Sequence, residues 1–107
     1  MADILLNGIK KPIYARKIDV GKLNATVAVS SRMAFDMDFF RFVTKAVERF
    51  RIYDWGDLDF DDRMLNNQAV VYGGRLVGAY YHEDSTMIYI VRDADGMRTT
   101  IMMSEEY

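Results

Sequence analysis

Between residues 32 and 50 the chain carries apolar side chains at helical spacing: Phe35, Phe39, Phe42, Val43, Ala46 and Phe50 follow at intervals of 4, 3, 1, 3 and 4. At about 100° per residue these positions form one stripe, and such a stripe must be buried. Arg41, Lys45 and Arg49 fall on the other side with Asp38 and Glu48, as a solvated face of mixed sign. A break near Asp36 or Asp38 is an open alternative, since either carboxylate can cap a second helical segment.

The surface that receives the stripe is written at the far end of the chain. Residues 75–82, 86–92 and 97–103 are rich in Val, Ile, Tyr and Thr, with Glu83-Asp84-Ser85 and Asp93-Ala94-Asp95-Gly96 between them. Short polar connections of this kind join antiparallel neighbours, so a three-stranded meander is expected. Upstream, Ile13, Ala15 and Val20, then Ala25, Val27 and Val29, suit one or two strands around a bend at Gly21-Lys22-Leu23-Asn24, with Ser30 or Ser31 capping the helix that follows. A second helix is expected from Asp59, with Asp61 and Asp62 at the positive end of its dipole and a stop at Tyr72-Gly73-Gly74. The expected fold is therefore α+β: an antiparallel sheet ending in the C-terminal meander, packed on two helices. At 107 residues, with one proline (Pro12) and no repeat, the chain reads as a single domain over residues 1–107.

Composition narrows the chemistry. Fourteen basic against 16 acidic residues give a net charge of −2, which argues against a surface devoted to nucleic acid. No cysteine is present, so disulfides, thiolate metal sites and a cysteine nucleophile are excluded. Although Ile4, Leu5 and Leu6 are apolar, neither a signal-peptide core nor a membrane span is expected, and a cytoplasmic location is the reading.

Five aspartates, Asp54, Asp57, Asp59, Asp61 and Asp62, crowd into nine residues with no basic side chain among them. Hard cations take oxygen ligands, and Asp57, Asp59 and Asp61 repeat the first three ligand positions of an EF-hand loop. The sixth position of that loop calls for glycine and is Asp62; the twelfth calls for glutamate and is Gln68. A helix N-terminus that favours carboxylates is the simpler account, and no metal or cofactor is expected. His82 lies beside Glu83 and Asp84, but no nucleophile elbow, phosphate loop or dinucleotide fingerprint accompanies it, so no catalytic residue is assigned. Arg41, Lys45, Arg49 and Arg51 offer a basic strip and the seven tyrosines offer stacking surfaces, yet Glu48 and the acidic segment weaken the local field. Trp55 reads either as an exposed interface anchor or, more simply, as an indole folded back to close the core.

Asp54-Trp55-Gly56-Asp57-Leu58, Leu65-Asn66, Arg75-Leu76, Ile88-Tyr89-Ile90-Val91, Thr99-Thr100-Ile101 and the closing Glu105-Glu106-Tyr107 together resemble a family of small bacterial proteins often carried on plasmids and other mobile elements and labelled plasmid-related. The likeness spans residues 47–107; Tyr53 and the Asp93–Arg98 turn depart from the family pattern. What the resemblance implies is a shape and a genomic setting. The expectation is a small non-enzymatic interaction domain of a mobile element, for instance an inhibitor of a host defence nuclease (anti-CRISPR or anti-restriction). Its partner would be a host protein in a nucleic-acid-handling complex, met through Asp54, Trp55, Asp57, Asp59, Asp61 and Asp62. A metal-dependent enzyme using the same aspartates and a nucleic-acid binder using the basic helix face are the alternatives.

Overall fold

Asp36 divides the long apolar stripe in two. Its backbone is extended (φ −132°, ψ 102°), so helical hydrogen bonding cannot run through it. Its N–H closes one helix on the Arg32 carbonyl at 2.9 Å, and its carboxylate opens the next by accepting the Phe39 N–H at 3.0 Å. The computed structural model describes residues 16–107, which form β1 (Lys22–Ala25), α1 (Val27–Phe35), α2 (Met37–Arg51), α3 (Phe60–Tyr72), β2 (Leu76–Tyr81), β3 (Met87–Arg92), β4 (Arg98–Met103) and a 3-10 turn at Ser104–Glu106. Because the break rotates α1 away from α2, Phe35 is 90% exposed, while Phe39, Val43, Ala46 and Phe50 are buried and Phe42 is half-buried. The stripe is thus shorter than its spacing implies.

The segment before the break also differs from expectation. A strand forms at Lys22–Ala25, where a bend is expected, and Val27 and Val29 belong to α1. Thr26 explains this: its hydroxyl accepts the Val29 N–H at 3.3 Å and caps the helix, a place Ser30 and Ser31 do not take. A β-branched residue costs a helix less than about 0.7 kcal/mol, whereas a threonine cap contributes about 1 kcal/mol. Val29 is also fully buried. Ile13 and Ala15, expected in the same strand, lie outside the described residues.

The meander forms as its sequence indicates, with β2, β3 and β4 antiparallel, but β1 adds to β4 in parallel, giving the order β1-β4-β3-β2. The sheet is therefore mixed, and it packs with three helices, not two. A parallel neighbour requires a long crossover, and the three helices between β1 and β2 supply it. Alternate residues of the strands, Leu76 and Tyr80, Ile88 and Ile90, Thr99 and Ile101, share one face. The buried residues of α1 and α2 complete a core with that face.

β2 lies at the edge of the sheet, and its outward backbone groups are taken up one after another. The Asn66 side-chain amide donates to the Val77 carbonyl at 2.6 Å and accepts the Val77 N–H at 3.1 Å, so it behaves as a further strand residue would. The Ala79 N–H donates to the Trp55 carbonyl at 3.1 Å, and the Ala79 carbonyl accepts the Asp57 N–H at 2.7 Å. The Tyr81 N–H then donates to Asp57 Oδ2 at 3.3 Å. A strand edge closed in this way cannot template pairing with another chain. Asn66→Asp keeps the acceptor but sets a second oxygen against the Val77 carbonyl. Unfolding in urea should show a loss of about 1–3 kcal/mol, the cost of a buried polar group left without its partner; a midpoint unchanged from the native chain would show that the amide does not hold the edge.

Candidate protein-interaction surface

The acidic segment begins where α2 ends. Tyr53 turns the chain with a left-handed backbone (φ 69°), and Asp54 follows against the last turns of the helix. Arg49 grips its carboxylate with two hydrogen bonds, Nε to Oδ2 at 2.7 Å and a terminal nitrogen to Oδ1 at 3.2 Å, and the Gly56 N–H donates to Oδ1 at 3.0 Å. The Arg49 guanidinium holds the Asp54 carboxyl below the usual carboxylate range, outweighing the desolvation that opposes it. The buried Tyr80 hydroxyl donates to the Asp54 carbonyl at 2.9 Å, and desolvation raises the pKa of that hydroxyl well above the usual tyrosine value. Asp54 is a strut of the fold.

Trp55 turns inward. At 5% exposed it sets its ring edge-on to Phe50, 5.5 Å between centroids, and its indole N–H donates to Asn67 Oδ1 at 3.1 Å. A buried indole offers nothing to a partner, so the expectation that Trp55 forms part of a contact surface is corrected: it closes the core. Gly56 follows with φ 75°, and a Cβ there would collide with the Ala79 carbonyl oxygen, so the bridge to β2 requires glycine. Asp57 spends one carboxylate oxygen on the Tyr81 N–H, and Asp59 caps α3 by accepting the Asp62 N–H at 2.9 Å. Asp61 and Asp62 remain exposed, with no hydrogen bond or ion pair to their carboxylates among the described residues. The one cation of α3, Arg63, lies back on the loop, donating to the Leu58 carbonyl at 2.9 Å and the Gly56 carbonyl at 3.0 Å.

The structure therefore separates the six expected contact residues. Asp54, Trp55, Asp57 and Asp59 each hold part of the fold, and Asp61 and Asp62 project from the first turn of α3. Among the described residues no three His, Asp or Glu side chains are placed to hold a metal ion together. His82 stacks on Phe42, with centroids 4.8 Å apart, and no carboxylate is hydrogen-bonded to its ring among the described residues. Asp84, its neighbour in sequence, is held instead by Arg32 and by the Thr86 N–H, which depress its pKa below the usual carboxylate range. Arg51 leaves the basic strip to donate to the Ile18 carbonyl at 3.0 Å.

The feature that sequence reasoning missed is the outer side of α3. Only Asn66 of this helix is buried, yet Phe60, Met64, Leu65, Val71 and Tyr72 all stand exposed, Phe60 at 72% and Tyr72 at 85%. At about 100° per residue, Phe60, Met64 and Val71 lie within roughly 40° of one another, and Leu65 and Tyr72 form a second exposed strip roughly 100° further round the helix. The signal was present as an excess of apolar residues around the whole helix, more than one side can bury. Beneath this face a cavity of about 200 Å³ opens between α3 and the sheet, lined by Leu58, Asp62, Leu65, Asn66, Arg75, Val77, Tyr89 and Tyr107. The arrangement is an apolar ridge with free carboxylates at its first turn and a notch at its flank.

A mixed four-stranded sheet with one helix displayed along its edge, apolar outward and acidic at its start, defines the class of molecule. No family model, curated protein or solved structure matches the chain. Among the described residues no helix is long and apolar enough to cross a membrane.

The Arg49–Asp54 pair sets a pH dependence. The unfolded Asp54 carboxyl titrates near about 3.9, and the folded one lower, so the pair's contribution is complete above that value and disappears as pH falls through the folded pKa. Asp54→Asn should destabilise the protein at neutral pH by up to about 1 kcal/mol, since both partners are half exposed. In urea unfolding the gap between the two proteins should narrow progressively as pH falls below about 3.9; a gap that stays constant with pH would show that the charge is not what stabilises the loop.

Proposed function

We propose that this chain is a non-enzymatic interaction domain that docks α3 onto a basic, apolar-centred protein surface. The observation that carries the reading is the uncovered ridge of Phe60, Met64 and Val71 on a helix whose first turn presents two unpaired carboxylates. Contiguous apolar surface framed by polar groups marks an interaction site. The apolar side chains supply affinity at the centre of such a contact, and the charges at its rim guide the approach of an oppositely charged partner.

A channel built to hold nucleic acid is a surface of that kind. The resemblance to plasmid-related proteins supports a setting on a mobile element, and in that setting the domain would occlude a host defence nuclease of a CRISPR or restriction system. The aspartates favour this reading over metal-dependent catalysis, because Asp54, Asp57 and Asp59 each commit oxygens to the fold.

The test uses tagged native chain, a Phe60→Ser/Val71→Ser variant and an Asp61→Asn/Asp62→Asn variant, with host proteins captured on each quantified by mass spectrometry. A basic, nucleic-acid-processing protein should be retained by the native chain and lost about tenfold or more from the serine variant, as expected for removing central contacts. The asparagine variant should associate more slowly, with a deficit that shrinks as salt is raised. Retention of that protein at equal levels by the serine variant, with the variant's fold intact by circular dichroism, would overturn the reading.

A further inference from the structure

A second surface lies between α2 and the end of β2. Here the helix stands over the sheet edge and leaves a groove with Phe42 and Ala46 at its base. Two adjoining cavities of about 340 and 330 Å³ share Phe42, Lys45 and Tyr81 as lining residues. Arg41 lines the first and Arg49 the second. Positions four apart on a helix are separated by about 6 Å of rise, so the three cations mark one wall at even intervals.

The chemistry available is not the same along that wall. Arg49 is engaged by Asp54, and Asp38 and Glu83 bound the groove at the Arg41 end. Arg41 meets Asp38 only at 3.5 Å, with both side chains largely exposed, so that charge is weakly committed. Lys45, in the middle, makes no ion pair or hydrogen bond through its ammonium among the described residues. Opposite, Tyr81 is 56% exposed, and its ring has neither a stacking partner nor a hydrogen bond among the described residues. Beside it the His82 imidazole lies nearly parallel to Phe42, at 29°, and fixes the floor.

We propose that this groove binds a short stretch of single-stranded nucleic acid, with a base stacked on Tyr81 and the adjoining phosphates on Lys45 and Arg41. Unpaired bases are recognised by stacking on aromatic side chains within a positively charged groove, and a duplex, whose base faces are already stacked, cannot use such a ring. The bounding carboxylates confine the attraction to a few phosphates, and the net charge of −2 keeps it local. The site is separate from the α3 ridge, so each stands or falls without the other.

Fluorescence anisotropy of the full chain with labelled single-stranded DNA and RNA of about a dozen nucleotides tests this. Binding should weaken as salt rises from about 50 to about 200 mM. Lys45→Glu should weaken it about tenfold or more, and Tyr81→Ala about tenfold, the loss expected for one stacked base. A duplex of the same sequence should bind less well than its single strand. Absence of binding at the lower salt, or affinity untouched by Tyr81→Ala, would overturn the proposal. So would displacement by poly-glutamate as effective as by unlabelled oligonucleotide, which would mark a general acceptor of acidic protein surfaces. Both substitutions are at exposed positions, and thermal melts should match the native chain.

Discussion

The side-chain amide of Asn66 sets the geometry on which the outer face of α3 depends. By pairing with both backbone groups of Val77 it fastens the helix alongside β2, at the margin of the sheet and not across its face. A helix laid across a sheet buries a broad arc of its circumference. A helix held at the margin buries a narrow one, here Asn66 with Ala69 and Val70 packed against the core, and every other apolar residue is turned outward. The exposure of Phe60 and Val71 thus follows from where one polar residue is anchored, and the sheet gains a closed edge through the same two hydrogen bonds.

The loop from Tyr53 to Asp59 shows why a cluster of like charges need not form a single site. Each carboxylate meets a different demand as the chain passes from α2 to α3: Asp54 answers a guanidinium, Asp57 an edge amide, and Asp59 the free N–H of a helix start. Satisfying backbone and side-chain donors one at a time pulls the carboxylates apart, whereas a metal would draw them together. Repulsion among them is relieved by Arg49 on one side and Arg63 on the other. What reaches solvent uncommitted is the pair in the first turn of α3, where the helix dipole favours it.

Local chemistry was legible wherever one residue type dictates one outcome. Asp59, with Asp61 and Asp62 behind it, marks the start of α3; the polar tripeptide Glu83-Asp84-Ser85 marks the turn between β2 and β3. Asp36 could be read as a breaking point for the same reason. Long-range pairing was not legible. Nothing in Lys22–Ala25 announces that it will lie parallel to β4, because that choice is made by the helices that intervene. The spacing that placed Phe35 with Phe39 counts residues along an unbroken helix, and a single extended backbone at Asp36 shifts the angle beyond it. Trp55 sits among charged residues in sequence, yet its hydrogen bond to Asn67 and its contact with Phe50 join segments that only the folded chain brings together. The outer ridge was hidden for a simpler reason: an apolar residue in a helix is assumed to face inward until the number of inward positions runs out.

The doubled duty of Asp36 has an evolutionary corollary. Since one residue ends α1 and begins α2, the joint between them contains no spare length, and Arg32 braces it from the preceding turn while also holding the tip of the β2–β3 hairpin through Asp84 and Thr86. Insertions or deletions there would swing one helix about the other and pull the hairpin with it. Divergence in chain length among descendants of this molecule should accumulate elsewhere.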